Sequence, residues 1–261
     1  MMAERNKQLG RKLKIAIFDL TDCEGCELTF IGLREKLARL AEQTDFANWR
    51  LASDNHDPGP FDVTFIEGTP ITEEDIESVK QARQVSRLVV SLGSCADLGG
   101  VQGSIGASSW KKGLGNVYTR EYKTESKPPK PLSYYIDIDY RLPGCPVSPV
   151  ELERFLGAIA IQKKPEEIRY PVCLECKASE NTCLLLEGKP CLGPVTKGGC
   201  GAPCPEHGLQ CWGCFGALRG GNQKALKKMF DAKFGPERTK QIFELFMAHQ
   251  DEFKEMYPEE K

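Results

Sequence analysis

The chain has 261 residues, is 40% hydrophobic and 28% charged, and carries a formal net charge of −2. Such a length suits one large domain or two small ones, and such a composition suits a soluble protein with a real core. The near-neutral balance gives no electrostatic case for nucleic acid or an anionic membrane surface, and the longest apolar runs are far too short to span a bilayer.

The first residues, MMAERNKQLGRKLK, are polar and basic, with no signal-peptide core and no twin-arginine pair. A cytoplasmic protein is expected on that ground. Leu13–Leu20 is a short apolar run that reads as a buried strand, and Glu27–Glu42 carries Leu28, Ile31, Leu37, Leu40 and Ala41 at roughly helical spacing. Trp49–Leu51 reads as a second strand, and Phe61–Ile66 alternates as a third. Thr72 opens a T-E-E-D run, an N-cap followed by acidic residues, for a helix to about Gln84. Leu88–Leu92 and Tyr135–Tyr140 read as further strands, with a proline- and lysine-bearing surface insertion over 107–133 between them. Ser148 and Pro149 then cap and start another helix. Strands alternating with helices predict an α/β fold with a mostly parallel, doubly wound sheet.

The tail is different. Residues 173–214 hold eight cysteines among many glycines and prolines, with little periodicity. Few side chains there suit a core, and metal binding is the expected source of order. A polar helical pattern returns after Gly221 and breaks at Phe234-Gly235-Pro236. Ile242, Leu245, Phe246 and Phe253 then recur on one face. The predicted domains are 1–165 and 166–261.

Twelve cysteines are many for a reducing compartment, where disulfides seldom persist. Cys23 and Cys26 form a C-x-x-C just after the first strand. Cys95 follows the strand ending at Leu92, and Cys145 follows the strand expected to end at Tyr140. In an open parallel sheet the carboxyl ends of the strands share one edge, where ligands bind. Four thiols from three distant loops are therefore expected to converge. They suit an iron–sulfur cluster or a tetrahedral zinc, and unrelated core thiols are the remaining reading. A thioredoxin-like dithiol leaves Cys95 and Cys145 unexplained. In the tail, Cys173, Cys176, Cys183, Cys191, Cys200, Cys204, Cys211 and Cys214 divide most simply by chain order into two sets of four. Interleaved ligation and a pair of zinc knuckles are the alternatives. Three clusters in one chain would describe an electron wire.

The stretches DCEGCELTF, FIEGTPITEED, VSLGSCADLGGVQ, IDYRLPGCP, YPVCLECK, PCLGPVTKGGCGAPCP and CWGCFGA resemble the small subunit of nickel–iron hydrogenases over about residues 12–220. They are most like its delta form in cytoplasmic, NAD(P)-linked sulfhydrogenases. The first four are shared more loosely with the cluster-bearing subunit of respiratory complex I. The resemblance implies a flavodoxin-like first domain, followed by a loop-rich iron–sulfur domain with C-terminal helices. It implies a proximal [4Fe-4S] cluster on Cys23, Cys26, Cys95 and Cys145, near a nickel–iron centre in a separate large subunit. It further implies a distal cluster on Cys173, Cys176, Cys183 and Cys191, and a medial one on Cys200, Cys204, Cys211 and Cys214. Many members have histidine at the first distal position and a three-iron medial cluster. Cys173 and Cys204 here imply three four-iron clusters instead, and all-thiolate ligation favours low potential. The implied partners are the large subunit and a flavin and iron–sulfur, diaphorase-type or other acceptor subunit, with no bond-breaking site in this chain. A complex I-like quinone-reductase subunit and a zinc-stapled interaction module are the rival functions.

Lesser signals read as structural. Gly103-Ser104-Ile105-Gly106 is expected to be a tight turn, and His56, His207 and His249 surface or supporting residues. Glu27 reads as a helix-start acid rather than a proton relay, and Glu24 has no assigned role. Lys177 and Arg169 read as solvated rather than as a docking patch.

Overall fold

The computed structural model describes residues 12–105, 107–118, 124–161, 163 and 165–258. The chain divides at Pro165/Glu166 into two compact units.

The first unit is built on five strands: β1 (Leu13–Asp19), β2 (Thr44–Trp49), β3 (Phe61–Glu67), β4 (Ser86–Leu92) and β5 (Tyr140–Leu142). They lie in the order β2-β1-β3-β4-β5, and every neighbouring pair is parallel. This is the flavodoxin-like order, whose direction reverses between β1 and β3. The period of two sends Ile15, Ile17, Val63, Phe65, Val90 and Leu92 to one face. There Phe30 of the helix Gly25–Gly32 meets Phe65 edge-on at 5.1 Å, and Phe65 meets Phe155 of the helix Pro149–Ala160 at 5.8 Å. The opposite face packs Ile66 and Val89 against Val79 and Ala82 of the helix Glu73–Gln84. Helices thus cover both faces, as doubly wound sheets require.

Three expected elements are placed differently. The helix expected over 27–42 is two helices, Gly25–Gly32 and Glu35–Gln43. The Leu33 and Arg34 N–H groups bond back three residues, to Phe30 and Ile31, and Arg34 has φ +49°. The kink still lets Leu33, Leu37 and Leu40 pack on the core. The second strand is not Trp49–Leu51 but Thr44–Trp49. A shift in its register on β1, where Ile15 faces Phe46 and Ala16 faces Asn48, breaks the alternation that marks a strand in sequence. The strand expected over 135–140 shrinks to Tyr140–Leu142. Ahead of it, Ile136 and Ile138 pack beside Leu132 in the opposite-face core. The Asp139 carboxylate takes the Val89 N–H at 2.7 Å, a bond that a paired backbone would otherwise make. Within the expected insertion, Ala107–Val117 is helical; residues 106 and 119–123 lie outside the described residues.

Thr72 caps its helix as the sequence predicts. Its hydroxyl accepts the Asp75 N–H at 3.1 Å, and the Asp75 carboxylate accepts the Thr72 N–H at 3.0 Å. Thr72→Ala is expected to cost about 1 kcal/mol locally. Hydrogen exchange should read this as roughly fivefold faster opening of the first turn.

The second unit has a core of its own. Helices Gln223–Phe234, Pro236–Met247 and Asp251–Met256 bury Leu226, Phe230, Ile242, Phe243, Met247 and Phe253. Leu192 and Val195 of the cysteine-rich stretch join them. That stretch is therefore anchored by burial as well, which its lack of periodicity hides. Leu245, expected on the apolar face, is only half-buried, while Phe243 and Met247 are buried.

Candidate metal centre at the sheet edge and in the tail

Three loops leave the carboxyl ends of β1, β4 and β5, and each delivers cysteine. Cys26 lies in the first turn of the helix Gly25–Gly32 and is buried, Cys95 is half-buried on the short helix Gly93–Leu98, and Cys23 and Cys145 are exposed. The β4 and β5 loops are tied together: the Ser94 N–H donates to the Gly144 carbonyl at 2.8 Å, and the Gly144 N–H donates to Ser94 Oγ at 3.2 Å. The β1 loop closes on both. A Cβ added at Gly93, which has φ +78°, would lie 2.3 Å from Cys26 Sγ and 3.5 Å from the Gly144 carbonyl oxygen. One added at Gly100 would lie 2.9 Å from Cys95 Sγ, and one at Gly25 3.3 Å from Cys23 Sγ.

The thiols sense one another. Burial pushes Cys95 up to about 11, and nearby Cys145 and Cys23 push the same way. Burial raises Cys145, with Cys23 adding to it. Burial raises Cys26 well beyond the usual thiol range, with Glu67 and Cys95 contributing. Thiols held so high stay protonated at neutral pH unless a cation stabilises the thiolate.

Glu67 holds this corner and was not singled out by the sequence reading, although FIEGTP contains it. It is 1% exposed at the end of β3. Its two oxygens accept the Cys26 N–H at 3.0 Å and the Glu27 N–H at 2.7 Å, so a buried carboxylate caps the helix that carries Cys26. Glu27 is also 1% exposed, contrary to a solvated helix-start acid. It accepts the Trp49 indole N–H at 2.7 Å, and burial pushes it up to about 7. Asp22 and Glu67 are likewise raised by burial. Glu24 is exposed at φ +58°.

In the second unit, Cys173 and Cys176 share the helix Val172–Ala178. Burial foremost, then Cys191, Cys176 and Cys183, together take Cys173 up to about 11. Cys191 likewise senses Cys176 and Cys183, so both of these lie near Cys173 and Cys191. Gly193 closes this group: a Cβ there would lie 3.2 Å from Cys173 Sγ and 3.6 Å from Cys191 Sγ. The last four fall into two neighbouring pairs. Burial takes Cys200 to about 11, with Glu175 and then Cys204 adding to it, while Cys211 is raised by burial, Cys191 and Cys214. Cys211 also donates its N–H to Cys191 Sγ at 3.3 Å.

The donor chemistry and the glycines fit a bulky thiolate-bound group. Glycine stands beside the thiols where any side chain would intrude, and Asn181 Nδ2, between Cys176 and Cys183, is buried without a partner. Among the described residues, no three Cys, His, Asp or Glu side chains are placed to hold a single metal ion. His207 and His56 are exposed and His249 is half-buried. Lys177 is exposed, and Arg169 is exposed and paired with Glu167 at 3.2 Å. Val101–Ser104 is one turn of 3₁₀ helix, as expected for a tight turn; Gly106 lies outside the described residues.

Comparison with known proteins converges. A solved structure titled as an NAD+-reducing [NiFe]-hydrogenase in the H2-reduced state aligns at TM-score 0.52 and 27% identity, over 60% of this chain and 96% of that one. The five-stranded parallel sheet with its cysteine-bearing edge is thus the small-subunit fold of nickel–iron hydrogenases. The sequence matches the family described as NADH ubiquinone oxidoreductase, 20 Kd subunit, over residues 23–159. It is 40% identical to sulfhydrogenase 2 subunit delta of Pyrococcus furiosus, over 78% of this chain and 86% of the relative. It is 29% identical to a subunit of the F420-non-reducing hydrogenase vhu of Methanocaldococcus jannaschii, over 78% of this chain and 82% of that relative. The chain belongs to this family, among its hydrogenase small (delta) subunits, and is a subunit of an oxidoreductase complex. No helix among the described residues is long and apolar enough to cross a membrane.

Proposed function

We propose that this chain is the electron-relay subunit of a cytoplasmic [NiFe] hydrogenase. The first unit would hold a proximal [4Fe-4S] cluster on Cys23, Cys26, Cys95 and Cys145. The second would hold a distal cluster on Cys173, Cys176, Cys183 and Cys191, and a medial one on Cys200, Cys204, Cys211 and Cys214. When bound, such clusters supply one-electron redox chemistry. The chain's own residues do the rest. Thiolates anchor the iron, the glycines leave room for it, and Glu67 and the Ser94–Gly144 pair hold the first four ligands in register. The observation that carries this reading is the meeting of three sheet-edge loops around thiols, with Gly93 pressed against Cys26.

The chain would link a hydrogen-activating large subunit to a flavin and iron–sulfur partner that reduces NAD(P) or another acceptor. A complex I-like quinone-reducing role uses the same first unit but leaves the eight tail cysteines without purpose. The complex purified anaerobically is expected to contain about twelve irons in this chain, four per four-thiolate site, and to be brown. A colourless, zinc-bearing preparation would refute the proposal. About four irons, all in the first unit, would favour the quinone-reductase reading.

A further inference from the structure

Glu175 is the acid within Cys173-Leu174-Glu175-Cys176, yet its bonds lead away from that knuckle. Oε1 accepts the Gly199 N–H at 2.8 Å, and Oε2 accepts the Gly201 N–H at 3.0 Å. The Tyr170 hydroxyl donates to Oε1 at 3.1 Å. Cys200 Sγ lies 3.8 Å from Oε2. One carboxylate, carried between two cysteines of the first tail group, therefore clamps the Gly199-Cys200-Gly201 loop of the second. The ordinary reading of an acid in the first turn of a helix, favourable interaction with the helix N-terminus, does not account for this. Both of its oxygens are committed to the cysteine loop and Tyr170.

The clamp has an electronic consequence. N–H groups that point at a cluster's sulfurs stabilise the more negative, reduced state, and hydrogen bonding is one of the levers that sets such potentials. Glu175 takes the N–H groups on both sides of Cys200. Of the nearby backbone donors, that of Ala202 goes to Cys200 Sγ, at 3.3 Å. A carboxylate beside a partly buried thiolate also repels added negative charge. Both effects disfavour reduction.

We propose that Glu175 is a positioning residue that fixes the Cys200 loop and holds the cluster bound there at low potential, while tying it mechanically to the Cys173/Cys176 knuckle. This inference rests on the tail cysteines being cluster ligands.

The test is redox titration of the purified hydrogenase complex, followed by electron paramagnetic resonance, for wild type, Glu175→Gln and Tyr170→Phe. Glutamine removes the charge and has one acceptor oxygen, so it must release one of the two N–H groups. At the wild-type midpoint, the cluster on Cys200 is expected to become about tenfold more reduced in Glu175→Gln, equivalent to about 59 mV for a one-electron couple. The proximal cluster should not move. Tyr170→Phe keeps the ring and the carboxylate but removes a donor that damps its charge. It should shift the same couple the opposite way, making it at least twofold less reduced, with iron content unchanged. An unaltered midpoint for both tail clusters in Glu175→Gln, or shifts of the same sign in both variants, would overturn the role of Glu175. If Glu175→Gln assembles without iron, Tyr170→Phe decides alone: a lowered potential supports the proposal, and an unmoved or raised one overturns it. Fewer than three reducible clusters in the wild-type complex would instead overturn the relay assignment, and this inference with it.

Discussion

Gly93→Ala is expected to remove the iron that the proposed function assigns to the first unit and to leave the tail intact. The new methyl would sit 2.3 Å from Cys26 Sγ, far inside contact distance, at a backbone φ of +78° that L side chains rarely adopt. The backbone conformation alone costs about 1–2 kcal/mol. The overlap has no easy relief. Cys26 is held from behind by Glu67, and the Gly93 loop is held through Ser94 and Gly144. Under the proposed assignment, iron in this chain should fall from about twelve to about eight atoms, with the lost signals coming from one cluster. Gly157→Ala is the matched control. It lies in the helix Pro149–Ala160 with nothing within 4 Å of the added carbon, and should stabilise that helix by about 0.5–1 kcal/mol without loss of iron. Equal iron in wild type and Gly93→Ala would show that the three loops do not share one group.

Glu67→Ala has the second-largest expected effect. It strands the Cys26 and Glu27 N–H groups, both buried, and each unsatisfied group costs about 1–3 kcal/mol. The helix Gly25–Gly32 should lose its start, and protection of residues 26–30 against hydrogen exchange in the assembled complex should fall at least thirtyfold, for about 2–6 kcal/mol. Glu67→Gln keeps one acceptor and should fall between. Full retention of protection in Glu67→Ala would mean that other groups set the Cys26 corner.

Both variants act on a place that the sequence only outlined. The C-x-x-C after the first strand and the lone cysteines after the fourth and fifth were legible because strand ends in a parallel sheet share an edge. The buried carboxylates were not. Glu27 sits at a helix start, where an acid usually faces water, and only the packing of Trp49 over it reveals burial. Glu67 ends a strand whose seven residues are all buried, so its polarity carried no sign of its bonds to a helix forty residues away in sequence. Glu175 was hidden in the same way, since its backbone partners lie twenty-four and twenty-six residues further along the chain.

Local pattern and chemistry were set by the residues alone. Short apolar runs marked β1 and β4, and alternation marked β3; Thr72 and Ser148 marked helix starts; and the count and spacing of cysteines pointed to thiolate-bound metal. These signals are local because propensity, capping and ligand type act over a few bonds. The tertiary structure alone decided which polar side chains are buried, where edge strands β2 and β5 begin, and which cysteine loops touch. Those outcomes depend on partners distant in sequence: a bulge against β1 sets β2, the Asp139 carboxylate delays β5, and desolvation acts on Glu27 and Glu67 only once the sheet and its helices close around them.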